Sequence, residues 1–194
     1  GAAFSIKYQE QKGKIATCFL GDGSVAQGLF HESLNMAALW ELPTLFVIEN
    51  NQWGMGTAVD RAIAVAPMAE KFGACYGMEH MTLDGMDFFS CYNGFKKAKE
   101  KMIKDNKPII IEILTERFRG HSISDPGLYR DKEELKKIME KDPIHRFKEP
   151  LVKEGFLTEE EATAMNKKAK ETIIEAVKFA DESPWPDPLF LEED

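Results

Sequence analysis

The most informative polar residues of this chain are Asp22, which stands between two glycines, and Asn51, the second residue of an Asn-Asn pair. Each follows a mostly apolar segment that is typical of a buried strand. Mg²⁺ prefers octahedral oxygen ligands: one or two carboxylates, neutral oxygens, phosphate oxygens and water. The Asp22 carboxylate, the Asn51 amide oxygen and the main-chain carbonyl of Trp53 could supply the protein's share. The residue types therefore predict a site for magnesium and a diphosphate.

The segments around these residues predict a strand–helix–strand unit. Residues 15–20 form a nearly unbroken apolar run, which predicts a strand that is buried on both faces inside a parallel sheet. Apolar residues then recur at helical spacing from 28 to 40, and Pro43 separates this helix from a second predicted strand at 44–48. Because open α/β sheets bind ligands beyond the carboxyl ends of their strands, Asp22 and Asn51 are expected to converge.

The residues next to Asp22 suit a phosphate. Gly21 and Gly23 permit a sharp turn and a close approach, and the main-chain N–H groups of Gly23 and Ser24 can donate to phosphate oxygens. Each motif alone has a simpler interpretation, since Gly-Asp-Gly is usually a plain turn and Asn-Asn a polar loop. Their combination at strand–helix–strand spacing favours the metal site.

A third polar segment follows another apolar strand, predicted over residues 109–114. It carries Arg117 and His121 and ends in an Asp-Pro-Gly turn signature at 125–127. Arginine can balance a diphosphate with bidentate geometry, and histidine can transfer a proton near neutral pH. Without the upstream motifs, a solvated basic loop would be the preferred interpretation.

At these motifs the chain resembles a known family. The stretch from Gly21 to Asn51 is similar to the thiamine diphosphate motif. The Asn-Met-Ala-Ala-Leu-Trp segment at 35–40, the Leu-Pro pair at 42–43 and the loop at 117–127 resemble the alpha subunits of pyruvate dehydrogenase. This resemblance covers nearly the whole chain and implies an α/β fold, with a parallel sheet flanked by helices that binds thiamine diphosphate and Mg²⁺.

The resemblance also implies a role for each motif residue. Asp22, Asn51 and the Trp53 carbonyl match the magnesium ligands of the family, and Gly23 with Ser24 matches the backbone that holds the diphosphate.

The loop residues Arg117 and His121 match residues that reach the diphosphate and the mouth of the cofactor channel. In the family, the histidine steers the decarboxylated intermediate toward the lipoyl group of the next enzyme. His121 is therefore the expected catalytic residue.

The same resemblance implies an oxidoreductase that decarboxylates pyruvate and passes the acetyl group to the lipoyl domain of dihydrolipoyl acetyltransferase. A beta subunit would supply the activating glutamate in an α2β2 heterotetramer, and the chain alone would be inactive. We expect one N-terminally truncated domain over 1–194, with a helical extension from about residue 131. Two alternatives stay open: a branched-chain 2-oxo acid or acetoin dehydrogenase alpha subunit, and a non-catalytic remnant that acts as an interaction domain.

Composition argues against some classes of partner, and the resemblance indicates the compartment. The net charge of −8 argues against nucleic acids and anionic membrane surfaces as general partners. No apolar run approaches the length of a membrane span. The resemblance implies the cytoplasm for a bacterial protein, and the mitochondrial matrix or plastid stroma for a eukaryotic one.

The C-terminal region carries two further local signals. Thr158 and Glu161 have the spacing of a capping box, which predicts the start of a long helix. Pro150 lies inside an otherwise helical segment at 144–154, where it predicts a kink or a break.

Overall fold

The computed structural model describes residues 1–191. Four parallel strands form one sheet: β1 (Ala16–Gly21), β2 (Thr44–Asn50), β5 (Glu79–Asp84) and β6 (Ile109–Leu114). Their order across the sheet is β1-β2-β6-β5. Between β2 and β5, the short strands β3 (Trp53–Gly54) and β4 (Thr57–Ala58) pair as an antiparallel hairpin.

Eight α-helices precede, connect or follow these strands in the described part of the chain. They are α1 (Ala2–Tyr8), α2 (Gly28–Leu39), α3 (Val59–Ala62), α4 (Met68–Tyr76), α5 (Phe88–Asp105), α6 (Lys132–Met139), α7 (Pro143–Lys153) and α8 (Glu159–Glu182). Two short 3-10 turns cover Asp22–Ser24 and Pro188–Leu191. None of the helices within residues 1–191 has the length and apolar character that crossing a membrane requires.

Both faces of the parallel sheet carry an apolar core. On one face, Leu34 of α2 and Ala69 of α4 pack with Ile48 and Ile110. The opposite face holds a second cluster that includes Met102 of α5 and a set of strand residues: Leu45, Val47, Ile109, Ile111 and Ile113. Successive strand side chains point to opposite faces, so the apolar runs of β2 and β6 supply both clusters. The predicted α/β fold, a parallel sheet flanked by helices, is confirmed.

Strand β1 differs from its prediction. It lies at the edge of the sheet, and β2 is its only pairing partner within residues 1–191. Thr17, Cys18 and Phe19 are exposed, with 60% of Phe19 accessible. The prediction of a strand buried on both faces is therefore wrong for this structure, because an apolar run does not reveal whether a second neighbour covers the strand.

The chain divides into two compact units, Gly1–Arg146 and Phe147–Asp194. The first contains the sheet and the residues singled out for chemistry. The second contains α8 and most of α7. We expected one domain over 1–194, extended by helices from about residue 131, and this stays a prediction. Residues 192–194 lie outside the described range.

The two local predictions for the C-terminal helices had different outcomes. Thr158 Oγ1 accepts from the Glu161 N–H at 3.1 Å, and the Glu161 carboxylate accepts from the Thr158 N–H at 2.8 Å, so the capping box is confirmed. Of the two outcomes predicted at Pro150, a break is wrong, because α7 runs from Pro143 to Lys153 with this proline inside it, and a kink stays a prediction. Proline removes one helical hydrogen bond, and the neighbouring turns of α7 stay helical.

Candidate functional site

The carboxyl ends of β1 and β2 bring the two predicted metal-binding turns together. The strands are parallel neighbours, and Gly21 lies opposite Glu49 at their ends. The chain leaves β1 directly into the turn that begins at Asp22 and leaves β2 into the turn that carries Asn51. Each turn therefore starts at the same edge of the sheet, which is where α/β folds bind ligands.

Asp22 is a buried carboxylate with an unused oxygen. Its side chain is 2% exposed, and no donor among the described residues bonds to Oδ2. Burial raises the pKa of Asp22 above its ordinary value of 3.8, while main-chain N–H groups, including those of Asn51 and Gly23, and the Arg117 charge oppose this rise. An ionised oxygen without a partner is costly in such a place unless a cation compensates it. This chemistry fits a metal ligand.

The turn after β2 holds Asn51 in a defined orientation. Asn51 Oδ1 accepts a hydrogen bond from the Trp53 N–H at 3.1 Å, and an amide oxygen retains a second lone pair for another partner. Gln52, between them, has a positive φ of 71°, which is uncommon for a residue other than glycine. The hydrogen bonds of this turn hold Gln52 in that conformation.

Two glycines bring the β3–β4 hairpin against the Asp22 turn. A Cβ built on Gly23 would lie 3.3 Å from the Gly54 Cα, and a Cβ on Gly54 would lie 3.3 Å from the Gly23 Cα. The sequence analysis did not identify Gly54 as part of the site. The signal that could have found it is a glycine directly after the predicted ligand Trp53, since strand glycines often mark a close backbone approach.

Arg117 joins the loop after β6 to this hairpin. Its guanidinium donates to the Met55 carbonyl at 2.6 Å, to the Tyr129 hydroxyl at 2.5 Å and to the Trp53 carbonyl at 3.4 Å. Its buried Nε has no hydrogen-bond partner among the described residues. The ring of Trp53 also packs on that of Tyr129, with centroids 4.8 Å apart. The structure therefore places Arg117 at the predicted metal-binding turn.

Asp125 organises the loop that carries His121. Its carboxylate accepts from the His121 N–H at 2.7 Å, the Gly127 N–H at 2.8 Å and the Tyr129 hydroxyl at 2.7 Å. These hydrogen bonds, the one from the His121 N–H foremost, lower the pKa of Asp125 from 3.8 to about 2. The sequence interpretation treated Asp125 only as part of a turn and missed this role.

The predicted residues differ in how closely the structure gathers them. Five of them lie in the contiguous set of contacts described above: Asp22, Gly23, Asn51, Trp53 and Arg117. Half-buried Ser24 ends the 3-10 turn that begins at Asp22.

His121 lies outside this set of contacts. It is fixed through its main chain, and its exposed imidazole makes no hydrogen bond, ion pair or ring contact with another described residue. Within residues 1–191, no three His, Cys, Asp or Glu side chains cluster as a metal centre. The predicted magnesium ligands, Asp22, Asn51 and the Trp53 carbonyl, include only one carboxylate.

Comparison with known proteins gives a family for this arrangement. The model of the dehydrogenase E1 component family matches residues 1–189. The chain belongs to this family. Together with the relatives described next, this match confirms the resemblance to pyruvate dehydrogenase alpha subunits that the motifs indicated.

Individual relatives agree with this family assignment. The pyruvate dehydrogenase E1 component subunit alpha of Rickettsia conorii is 43% identical over 187 residues, which are 96% of this chain and 57% of the relative. That of Rhizobium meliloti is 39% identical over 188 residues, 96% of this chain and 53% of the relative. The chloroplastic subunit alpha-3 of Oryza sativa is 38% identical over 194 residues, 96% of this chain and 45% of the relative. The chain thus spans about half the length of these relatives.

Proposed function

We propose that this chain is the alpha component of a pyruvate dehydrogenase and supplies the magnesium and diphosphate half of a thiamine diphosphate site. The observation that carries the proposal is the buried Oδ2 of Asp22, which has no hydrogen-bond partner among residues 1–191 and lies at the edge of the sheet where the Asn51 turn also begins. The family assignment and the names of the relatives support the same function.

The residues at this edge fit Mg²⁺ by the chemistry of their atoms. The Asp22 carboxylate, the Asn51 amide oxygen and the Trp53 carbonyl are hard oxygen donors, and Mg²⁺ completes its shell with phosphate oxygens and water. The single carboxylate leaves one positive charge of the ion to attract the diphosphate. Gly23 and Ser24 would approach the diphosphate through their main chain, since Gly23 presents no side chain there.

The loop residues would complete the site. Arg117 brings a positive charge that balances the diphosphate, and its contacts with the β3–β4 hairpin keep that charge in place. When bound, thiamine diphosphate supplies the electron sink for decarboxylation of a 2-oxo acid. His121 is the proposed catalytic residue, because its exposed imidazole can hold or release a proton beside the incoming lipoyl group.

Other subunits belong to the proposal. As the similarity to the alpha subunits implies, we assign the carboxylate that activates the cofactor to a beta subunit in an α2β2 heterotetramer. The acetyl acceptor would be the lipoyl domain of dihydrolipoyl acetyltransferase. The relatives named above come from bacteria and from a chloroplast, which supports the cytoplasm of a bacterium or the interior of an organelle as the compartment.

The alternatives predict different results in one assay. The chain, assembled with a beta subunit, is supplied with Mg²⁺, thiamine diphosphate, a lipoyl domain and one substrate at a time: pyruvate, a branched-chain 2-oxo acid or acetoin. Acetylation of the lipoyl domain from pyruvate, lost in His121→Ala, is the expected result. A preference for a branched-chain acid, or acyl transfer from acetoin, would assign the chain to the other enzymes. Normal assembly without turnover of any substrate would indicate a non-catalytic interaction domain.

A further inference from the structure

Glu112 is a buried carboxylate that the proposed cofactor site does not use. It lies on β6 between Ile111 and Ile113, in the interior of the sheet, and only 2% of the residue is exposed. Both of its oxygens are occupied: Oε1 accepts from Asn50 Nδ2 at 2.8 Å, and Oε2 accepts from the Ala69 N–H at 3.1 Å. Removing a carboxylate from water is costly, so this position calls for a reason beyond packing.

Asn50 connects Glu112 to the turn after β2. The amide of Asn50 points its NH₂ at Glu112, so its oxygen faces the next turn and accepts from the Gln52 N–H at 3.0 Å. The main-chain carbonyl of Asn50 accepts from the Thr115 N–H at 2.9 Å. Asn50 is 5% exposed, and these hydrogen bonds hold both its side chain and its main chain.

Gln52 is the residue whose conformation this arrangement stabilises. Its φ of 71° is unfavourable for a side chain with a Cβ, and such conformations persist only where the surroundings impose them. Its N–H is held by the Asn50 side chain, and its carbonyl accepts from the Val59 N–H at 3.0 Å. This conformation sets the direction in which the chain continues to Trp53, whose N–H bonds to Asn51 Oδ1.

We propose that Glu112 is a positioning residue for the metal-binding turn: through Asn50 it fixes the turn that presents the Asn51 oxygen and the Trp53 carbonyl. This inference rests on the proposed function, because it treats that turn as the place where Mg²⁺ binds. The side chain acts at a distance, through two hydrogen bonds, and does not itself touch the ion. An apolar residue at this position would fill the space in the core and would leave Asn50 without its anchor.

Two variants and one control test this role. Glu112→Leu removes both acceptors and fills the same space in the core with an apolar side chain. The double variant Asn50→Asp with Glu112→Gln exchanges donor and acceptor. Its new amide at position 112 can donate to the new carboxylate at position 50 and accept from the Ala69 N–H, while that carboxylate still accepts from the Gln52 N–H. Ile111→Ala is the control, since it opens a cavity on the opposite face of the same strand and destabilises the fold without touching Asn50.

The first readout needs no cofactor. Amide hydrogen exchange is measured on the chain assembled with its beta subunit, at the Gln52 and Trp53 N–H groups. Glu112→Leu is expected to lower their protection about tenfold, the loss of roughly one hydrogen bond. Ile111→Ala should leave these two amides unchanged relative to the surrounding strands, and the double variant should restore their protection. Equal protection in Glu112→Leu and Ile111→Ala would overturn the inference.

The second readout is the Mg²⁺ concentration that half-saturates thiamine diphosphate binding in the same assembly. It should rise about tenfold in Glu112→Leu and return to within about threefold of the parent in the double variant. An unchanged value in Glu112→Leu would contradict the inference. If Glu112→Leu does not fold, the double variant decides: parent-like protection and Mg²⁺ dependence support the role, and loss of either in a folded protein refutes it. Absence of Mg²⁺-dependent binding in the parent itself would instead refute the proposed function.

Discussion

Gly23 and Gly54 pack backbone against backbone, and a Cβ on either one would lie 3.3 Å from the Cα of the other. This contact joins the turn that carries Asp22 to the hairpin that follows Asn51. It leaves no room for a side chain between the predicted carboxylate ligand and the predicted carbonyl ligand of Trp53. The distance between the two turns thus depends on two residues that carry no functional group.

We predict that Gly54→Ala weakens Mg²⁺ binding. The added methyl group meets backbone atoms of Gly23, so the hairpin must move by a few tenths of an ångström. Loss of about tenfold in Mg²⁺ affinity is expected, because a metal site tolerates little misplacement of its ligands. Titration of the assembled protein measures it.

The control for this prediction is Gly56→Ala in the same hairpin. A Cβ at this position would make only ordinary contacts, at 3.6 Å and 3.7 Å, with the Tyr129 ring. It should leave Mg²⁺ affinity nearly unchanged. Equal losses of Mg²⁺ affinity in the two variants would show that the Gly23–Gly54 contact does not determine the geometry of the metal site.

Asp22→Asn should stabilise the metal-free protein. Burial raises the pKa of Asp22, so the folded protein binds this proton more tightly than the unfolded chain does. The ionised carboxylate therefore lowers the free energy of unfolding at neutral pH, and the loss is recovered as pH falls through the raised pKa. We expect Asp22→Asn to gain about 1 kcal/mol at pH 7, since a neutral amide is cheaper to bury than an unpaired charge.

Urea unfolding of the metal-free protein at several pH values measures this effect. The gain should shrink as the pH falls from neutral through the raised pKa of the parent carboxyl toward its ordinary value of 3.8. A variant less stable than the parent at pH 7 would contradict the account of Asp22 as an uncompensated charge.

Asp125 should hold its loop in a pH-dependent way. Its folded pKa of about 2 lies below the ordinary value of 3.8, so its stabilising contribution is complete above that ordinary value. The contribution is lost as pH falls from about 4 to about 2. Hydrogen exchange at the His121 and Gly127 amides, corrected for intrinsic rates, should accelerate over this range, whereas Asp125→Asn should exchange rapidly at every pH.

Ser124→Ala is the control for this loop, because the exposed Ser124 hydroxyl forms a hydrogen bond with the Ser122 hydroxyl and none with another described residue. It should follow the pH dependence of the parent. Retained protection of both amides in Asp125→Asn would show that other contacts hold the loop.

Arg117→Lys should weaken the binding of the diphosphate more than that of the rest of the cofactor. Lysine is a single point charge and cannot replace the planar fork that contacts Trp53, Met55 and Tyr129 together. Affinity for thiamine diphosphate is expected to fall about tenfold, and affinity for unphosphorylated thiamine should not change. The exposed Arg119 in the same loop provides the control Arg119→Lys. An equal loss of affinity for thiamine diphosphate in both variants would contradict a specific role of Arg117.

Local sequence signals predicted the parts of this fold that depend on local chemistry. The capping box of Thr158 and Glu161 involves residues three apart, and both of its hydrogen bonds are present. The carboxyl-edge positions of Asp22 and Asn51 follow from strand–helix–strand spacing alone. Each of these features is decided within one segment or one crossover.

Features that depend on distant neighbours were not predictable in this way. The exposure of Phe19 depends on whether another strand covers β1, and the apolar run itself does not say. The role of Glu112 depends on Asn50 and Ala69, which are 62 and 43 residues away in sequence. Asp125 had the signature of a turn, and only the fold of the loop brings Tyr129 to its carboxylate.

Calorimetric titration of thiamine diphosphate into the chain assembled with its beta subunit, with and without Mg²⁺, tests the central claim most directly. We predict saturable binding that requires Mg²⁺ and is lost in Asp22→Asn, although that variant is folded and more stable without metal. Binding that is independent of Mg²⁺, or that survives in Asp22→Asn with the affinity of the parent, would contradict the assignment of Asp22 as a magnesium ligand and the function built on it.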